Sequence, residues 1–327
     1  MMKATVGATL GLVVLALLFG VAAAPYVQRF GLGWRAVAGI YGCFLVSLIL
    51  ALAPGWVGLR DWIVGRVAGS RVWALPVVWC VPYLLYATGT GDFRWVAVGR
   101  LFGAGAMLVV IYRLAPVRDL ARFGWQDLVA AGWLIGVLMG HQLAGIWNVP
   151  VNLDFIGRLF LIAMAGWSWV FVRTVPRLGY ELRLSWAVLR AAGWNFFLFA
   201  VIAIPAGLAL GFIEWHPLHK GVADFALVFL EIFLFIALLE ELFFRGFLQT
   251  LIAENLRSAR AGQILVSCLF GLFHILHAPF PNWRYVLLAT VAGWFYGSAF
   301  LKSGTLMSSA LAHAMVDTMW RTFFSKS

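Results

Sequence analysis

Leu238-Leu239-Glu240-Glu241-Leu242-Phe243-Phe244-Arg245 sets two adjacent carboxylates and an arginine inside an apolar run that begins near Phe225. A charge at bilayer depth costs roughly 2.5–3.5 kcal/mol on insertion scales, so three so close together require compensation. The run is long enough for a helix, and on a helix Glu241 and Arg245 share one face. The acid stands four residues to the N-terminal side, an arrangement that lets them pair. Glu240 lies about 100° round the helix from Glu241, away from Arg245. One acid is thereby suited to structure and the other to work as a general base or acid. A structural ion-pair network at a helix end accounts for the Glu–Arg pair equally well.

Two later apolar segments weigh against a purely structural reading. Phe270-Gly271-Leu272-Phe273-His274 carries a histidine into the next segment. His313-Ala314-Met315-Val316-Asp317 sets a histidine and an acid four apart on one helix face of the last. A lone histidine in an apolar helix is usually a satisfied core residue. Water-activating groups on three successive segments are a much rarer coincidence, and ionisable residues at such depth point to function.

Composition agrees with a bilayer setting. Of 327 residues, 63% are hydrophobic and 11% charged, whereas soluble domains are about 25% charged. The chain is therefore read as an all-α polytopic membrane protein. Net charge is +11, but the 24 basic residues fall mostly in short connections. That pattern suits anionic headgroups and gives no support for nucleic-acid binding. Cys43, Cys80 and Cys268 lack disulfide or metal-ligand spacing and read as small core residues. Seventeen tryptophans fit aromatic belts at the two interfaces.

Length and hydropathy predict spans at 4–24, 36–57, 72–88, 95–114, 128–147, 159–172, 191–213, 224–251, 261–277, 285–301 and 305–323, about eleven helices in all. The first is read as an uncleaved span, not a signal peptide. Residues 1–221 form an N-terminal membrane-spanning region of about seven of these helices, and residues 222–327 carry the chemistry. The acids expected inside apolar spans, Glu231, Glu240, Glu241 and Asp317, all belong to the second part. His141, within 128–147, is expected to make a helix–helix hydrogen bond. Residues 173–190, with Arg173, Arg177, Arg183 and Arg190 among apolar side chains, read as an amphipathic interfacial segment. His216 and His219 read as parts of a solvated turn.

Glu240-Glu241-x-x-x-Arg245, Phe270-x-x-x-His274 and His313-x-x-x-Asp317 resemble, in order, the three signature motifs of the CAAX prenyl endopeptidase-like intramembrane proteases. That family also includes bacteriocin-processing and bacteriocin-immunity membrane proteins. Gly293-Trp294-Phe295-Tyr296-Gly297 through Lys302-Ser303-Gly304-Thr305-Leu306 is similar to the family's connection into its last motif. The resemblance covers roughly residues 222 to 320. It implies a conical helical bundle with a polar cavity inside the membrane, hydrolysing a peptide bond of a membrane-associated protein or peptide. By resemblance Glu240 is the general base, His274 holds or polarises the water, and His313 and Asp317 stabilise the tetrahedral oxyanion. Glu241, Arg245 and Phe270 support the site. Asp317 stands where the family commonly has asparagine, and an ionised aspartate accepts hydrogen bonds without donating them.

An older view of this family makes Glu240, His274 and His313 ligands of a water-activating zinc. No His-Glu-x-x-His stretch is present, and those ligands would come from three helices, so a metal-free mechanism without cofactor is favoured. Two other classes compete. A bacteriocin-immunity or scaffold protein would keep the fold without catalysis. A proton-coupled transporter would also bury acids and histidines, but it predicts polar groups in both halves of the chain. The Arg-rich, Lys-poor, Trp-rich style suggests a bacterial inner-membrane protein whose partners are the bilayer and its substrate.

Overall fold

The computed structural model of the chain describes residues 2–67, 69–148, 150–217 and 221–326. Among them, seven helices are long and apolar enough to cross a membrane: Gly11–Arg29, Trp34–Gly55, Gly69–Thr90, Trp95–Leu114, Trp186–Ala209, Val222–Asn255 and Trp283–Ser303. Each falls on an expected span. Three more expected spans coincide with the shorter apolar helices Trp125–Met139, Ile156–Val172 and Ala259–Leu272. The last is the helix Leu306–Phe323, whose His313, Asp317, Arg321 and hydroxyl side chains dilute its apolar character. The architecture is helical and multi-pass. The expected all-helical order gains one small ribbon, in which Ile213–Trp215 pairs antiparallel with Phe324–Lys326.

The chain forms two compact units. The first runs up to Leu120 and includes Gly124–Thr174. In it the helix Trp34–Leu52 packs against Leu75–Thr90 and Ile156–Trp167. The first of these crossings is close because glycines meet. A Cβ on Gly39 would lie 2.6 Å from the Cα of Gly89, the small-residue contact that lets membrane helices approach.

Three expectations for this unit change. His141 is not inside a span: the helix stops at Met139, and His141 is an exposed turn residue with φ 48°. The apolar run continues to Trp147, but Gly140 ends the helix before it. Arg173 is not on an exposed amphipathic surface. Its Nε donates to Asp127 Oδ1 at 2.8 Å and its Nη2 to Asp127 Oδ2 at 3.0 Å, both side chains being buried. Asp127, outside the expected spans 95–114 and 128–147, also accepts from the backbone N–H of Gly124 at 2.9 Å, closing the first turn of its helix. Buried acids are thus not confined to the C-terminal part.

The second unit comprises Ala121–Phe123 and the chain from Val175 onward. His216 lies at the ribbon, its backbone N–H bonded to Phe323 O, and His219 lies outside the described residues. Trp283–Ser303 is the central helix, packed by Trp186–Ala209, Ala259–Leu272 and Leu306–Phe323. Its ends follow from local chemistry. Asn282 caps the start by accepting from Tyr285 N at 3.0 Å. Gly304, at φ 70°, ends it in the left-handed region. Thr305 then caps the next helix by accepting from Met307 N, which sets the register of everything on that helix, His313 included.

Candidate active site

The long helix Val222–Asn255 is interrupted by wider π turns at Phe233–Ala237 and Leu242–Gln249, on either side of Glu240 and Glu241. Such bulges recur at functional sites because they shift the phase of the side chains that follow. The i,i+4 pair forms nonetheless: Arg245 Nη1 donates to Glu241 Oε1 at 3.0 Å, and both side chains are fully buried. Arg245 Nη2 donates to Gly293 O at 3.0 Å. Its guanidinium sits 4.6 Å from the Phe270 ring centroid and 5.3 Å from that of Tyr296. Aromatic faces, a carbonyl and a carboxylate thus replace part of the water the cation has lost, while its Nε is buried without a hydrogen-bond partner among the described residues.

Glu241 has a second partner. Its Oε1 accepts from His313 Nδ1 at 2.9 Å, across the helix packing. This fixes the ring so that Nε2 points to Asp317 Oδ2 at 3.4 Å and to Glu240 Oε2 at 3.9 Å. Tyr296 stacks on the same ring, with centroids 4.6 Å apart at 14°, and Phe270 meets it edge-on at 5.8 Å. Glu240 and Asp317 keep 29% and 34% of their side-chain surface, whereas Glu241 keeps none. The neighbouring acids of the first motif therefore divide, one inside the packing and one at an open edge.

His274 follows the end of the helix Ala259–Leu272. Its Nδ1 donates to Phe270 O at 2.8 Å, because a carbonyl can only accept. The neutral ring then offers its Nε2 lone pair outward. The ring lies 4.5 Å from Tyr285 and 4.9 Å from Phe270, centroid to centroid.

Glu240, Glu241 and His313 are in mutual reach with Asp317 beside them. His274 is joined to this group through Phe270. Sequence reasoning missed the Gly293 carbonyl, Tyr296 and Tyr285. For the first two the signal was the glycine spacing Gly293-x-x-x-Gly297. Glycine at 293 leaves room for the guanidinium, since a Cβ there would come 3.3 Å from Arg245 Nη2. Among the described residues, no three His, Cys, Asp or Glu side chains are grouped so as to hold a metal ion. The set Glu240, His274 and His313 does not assemble as a ligand cage.

The arrangement coincides with a known sequence family. Residues 222–319 match the family model "Type II CAAX prenyl endopeptidase Rce1-like". A protein named "Membrane transporter D1" from Leishmania donovani is 28% identical over 149 residues, covering 45% of this chain and 25% of that protein. The chain thus matches about a quarter of that relative's length. No solved structure matches. The three motifs fall inside the matched stretch, on helices that bring their side chains together, and the similarity to the type II CAAX prenyl endopeptidases covers residues 222–319 of this multi-pass membrane protein.

Proposed function

We propose that the chain is an intramembrane endopeptidase in which residues 222–327 hydrolyse a peptide bond of a membrane-associated protein or peptide by a metal-free, glutamate-based mechanism. The observation that carries this reading is the division of labour between neighbouring acids. Glu241 is buried against Arg245 and His313, while Glu240 stays at the open edge beside His313 Nε2. Glu240 takes a proton from water, and His274, through Nε2, orients that water. The water oxygen bonds to the substrate carbonyl carbon, and the carbonyl electron pair moves onto oxygen. His313 is held by Glu241 and oriented by Asp317, so that positive charge on its ring faces the developing oxyanion. Glu240 returns the proton to the leaving amine as the C–N bond breaks.

The zinc version predicts a different outcome in a direct test. The detergent-solubilised full chain is assayed with a quenched-fluorescent peptide carrying a farnesylated CAAX end, and metal content is measured on the same sample. The glutamate mechanism predicts that cleavage survives thorough chelation with no stoichiometric zinc. Loss of activity on chelation with recovery on adding zinc would contradict it. The likeness to a protein named as a transporter and the buried acid at Asp127 are the observations on the side of transport. Asp127 is, however, held in a bidentate pair with Arg173, which suits it to structure better than to carrying protons. A bacterial inner membrane is the setting that the composition favours.

A further inference from the structure

We propose that Tyr285 is a further catalytic residue, its hydroxyl donating the hydrogen bond to the tetrahedral oxyanion that aspartate at 317 cannot supply. The inference rests on the peptidase reading above and adds a residue to it.

The need for a donor comes from His313. Its Nδ1 is turned to Glu241 at 2.9 Å, and its Nε2 faces Asp317 at 3.4 Å and Glu240 at 3.9 Å. Both ring nitrogens already look at carboxylates. Asp317, when ionised, has only lone pairs to offer. His274 gives its Nδ1 proton to Phe270 O, so its neutral Nε2 is an acceptor as well. From these four side chains an oxyanion would meet lone pairs and one shared cation.

Tyr285 is a neutral donor fixed at this place. Its backbone N–H is bonded to the Asn282 cap, in the first turn of the central helix. Asn282 also ties down the preceding loop, its N–H donating to Ile275 O and its Nδ2 to Ala278 O. The ring is walled by His274 at 4.5 Å, His277 at 5.0 Å, Phe212 at 5.2 Å and Trp320 at 5.6 Å. The ring thus stands between His274 and Trp320, the latter on the helix Leu306–Phe323 that also carries His313 and Asp317. Tyr285 is half-buried, so a substrate can reach it, whereas Tyr296, the other tyrosine at the site, is fully buried against His313. No proton is transferred in this role. The O–H bond stays intact while the carbonyl electron pair localises on oxygen, and the hydrogen bond strengthens as it does so.

Tyr285→Phe removes the donor and keeps the ring that packs against His274. With the full chain in detergent and the farnesylated CAAX peptide as probe, we expect kcat to fall about 10²- to 10³-fold, with KM close to wild type, as for loss of one oxyanion donor. Adding Asp317→Asn, which puts an amide donor beside His313, should restore at least about tenfold of that loss. Activity of Tyr285→Phe within about threefold of wild type would overturn the inference, as would a loss that Asp317→Asn leaves untouched. If wild-type protein shows no cleavage that depends on Glu240, it is the peptidase reading itself that fails, and the inference with it.

Discussion

Arg245 shows what it takes to keep a charge in an apolar interior. One carboxylate, one backbone carbonyl and three aromatic rings converge on its guanidinium. Breaking a buried pair by removing one partner typically costs about 3–5 kcal/mol, because the other charge is left uncompensated. Arg245→Ala should therefore lower the denaturation midpoint and folded yield together with activity. Unchanged stability would contradict the structural role assigned to the pair. For Glu240 and His274 a different pattern is expected, because in the proposed mechanism they act as a unit, a base and the group that orients its water. Adding His274→Ala to Glu240→Gln should cost little beyond either alone, and full additivity in kcat would argue against that unit. The i,i+4 pairs Glu241–Arg245 and His313–Asp317 were legible in the sequence because helical spacing fixes which neighbours meet. The His313–Glu241 contact was not, since it joins residues 72 positions apart and only packing decides it.

Between elements, close approach is set by residues without side chains. A Cβ on Gly271 would run into the Thr290 side chain and come 2.6 Å from Val286 O. The helices Ala259–Leu272 and Trp283–Ser303 can therefore sit together only if position 271 stays bare. Gly271→Ala should destabilise by about 1–3 kcal/mol, as for other overpacked sites, and should impair activity by shifting His274, three residues on. A thermal melt and rate indistinguishable from wild type would show that the helix pair yields without consequence. Helix ends are set by cap chemistry that hydropathy does not register, at Ser258, Asn282, Thr305 and Gly304. The end at Met139 was hidden, because Leu143, Ile146 and Trp147 prolong the apolar run although they pack from a turn region. The π turns around Glu240 and Glu241 have no sequence signature, and the regular helical phase assumed for those residues holds only locally.

At the level of the whole chain, the first seven spans bear no motif of the family, yet the buried Asp127–Arg173 pair lies in their connections. Hydropathy left it undetected because Asp127 opens a helix and Arg173 follows one, so each reads as a connection residue. The pair belongs to the first compact unit and the motifs to the second. Arg173→Ala should thus destabilise by about 3–5 kcal/mol while kcat per folded molecule remains that of wild type. A fall in kcat of the folded fraction would instead implicate this region in the reaction.

The central claim is that Glu240 removes a proton from the attacking water, and Glu240→Gln tests it most directly. The substitution keeps size while abolishing the base, at a side chain that is partly exposed and outside the Glu241–Arg245 pair. Purified Glu240→Gln should melt like wild type, still bind the farnesylated CAAX peptide, and show no cleavage of it. Cleavage at an undiminished rate, or a cellular phenotype unchanged at normal expression as a scaffold or immunity protein would give, would contradict the peptidase assignment.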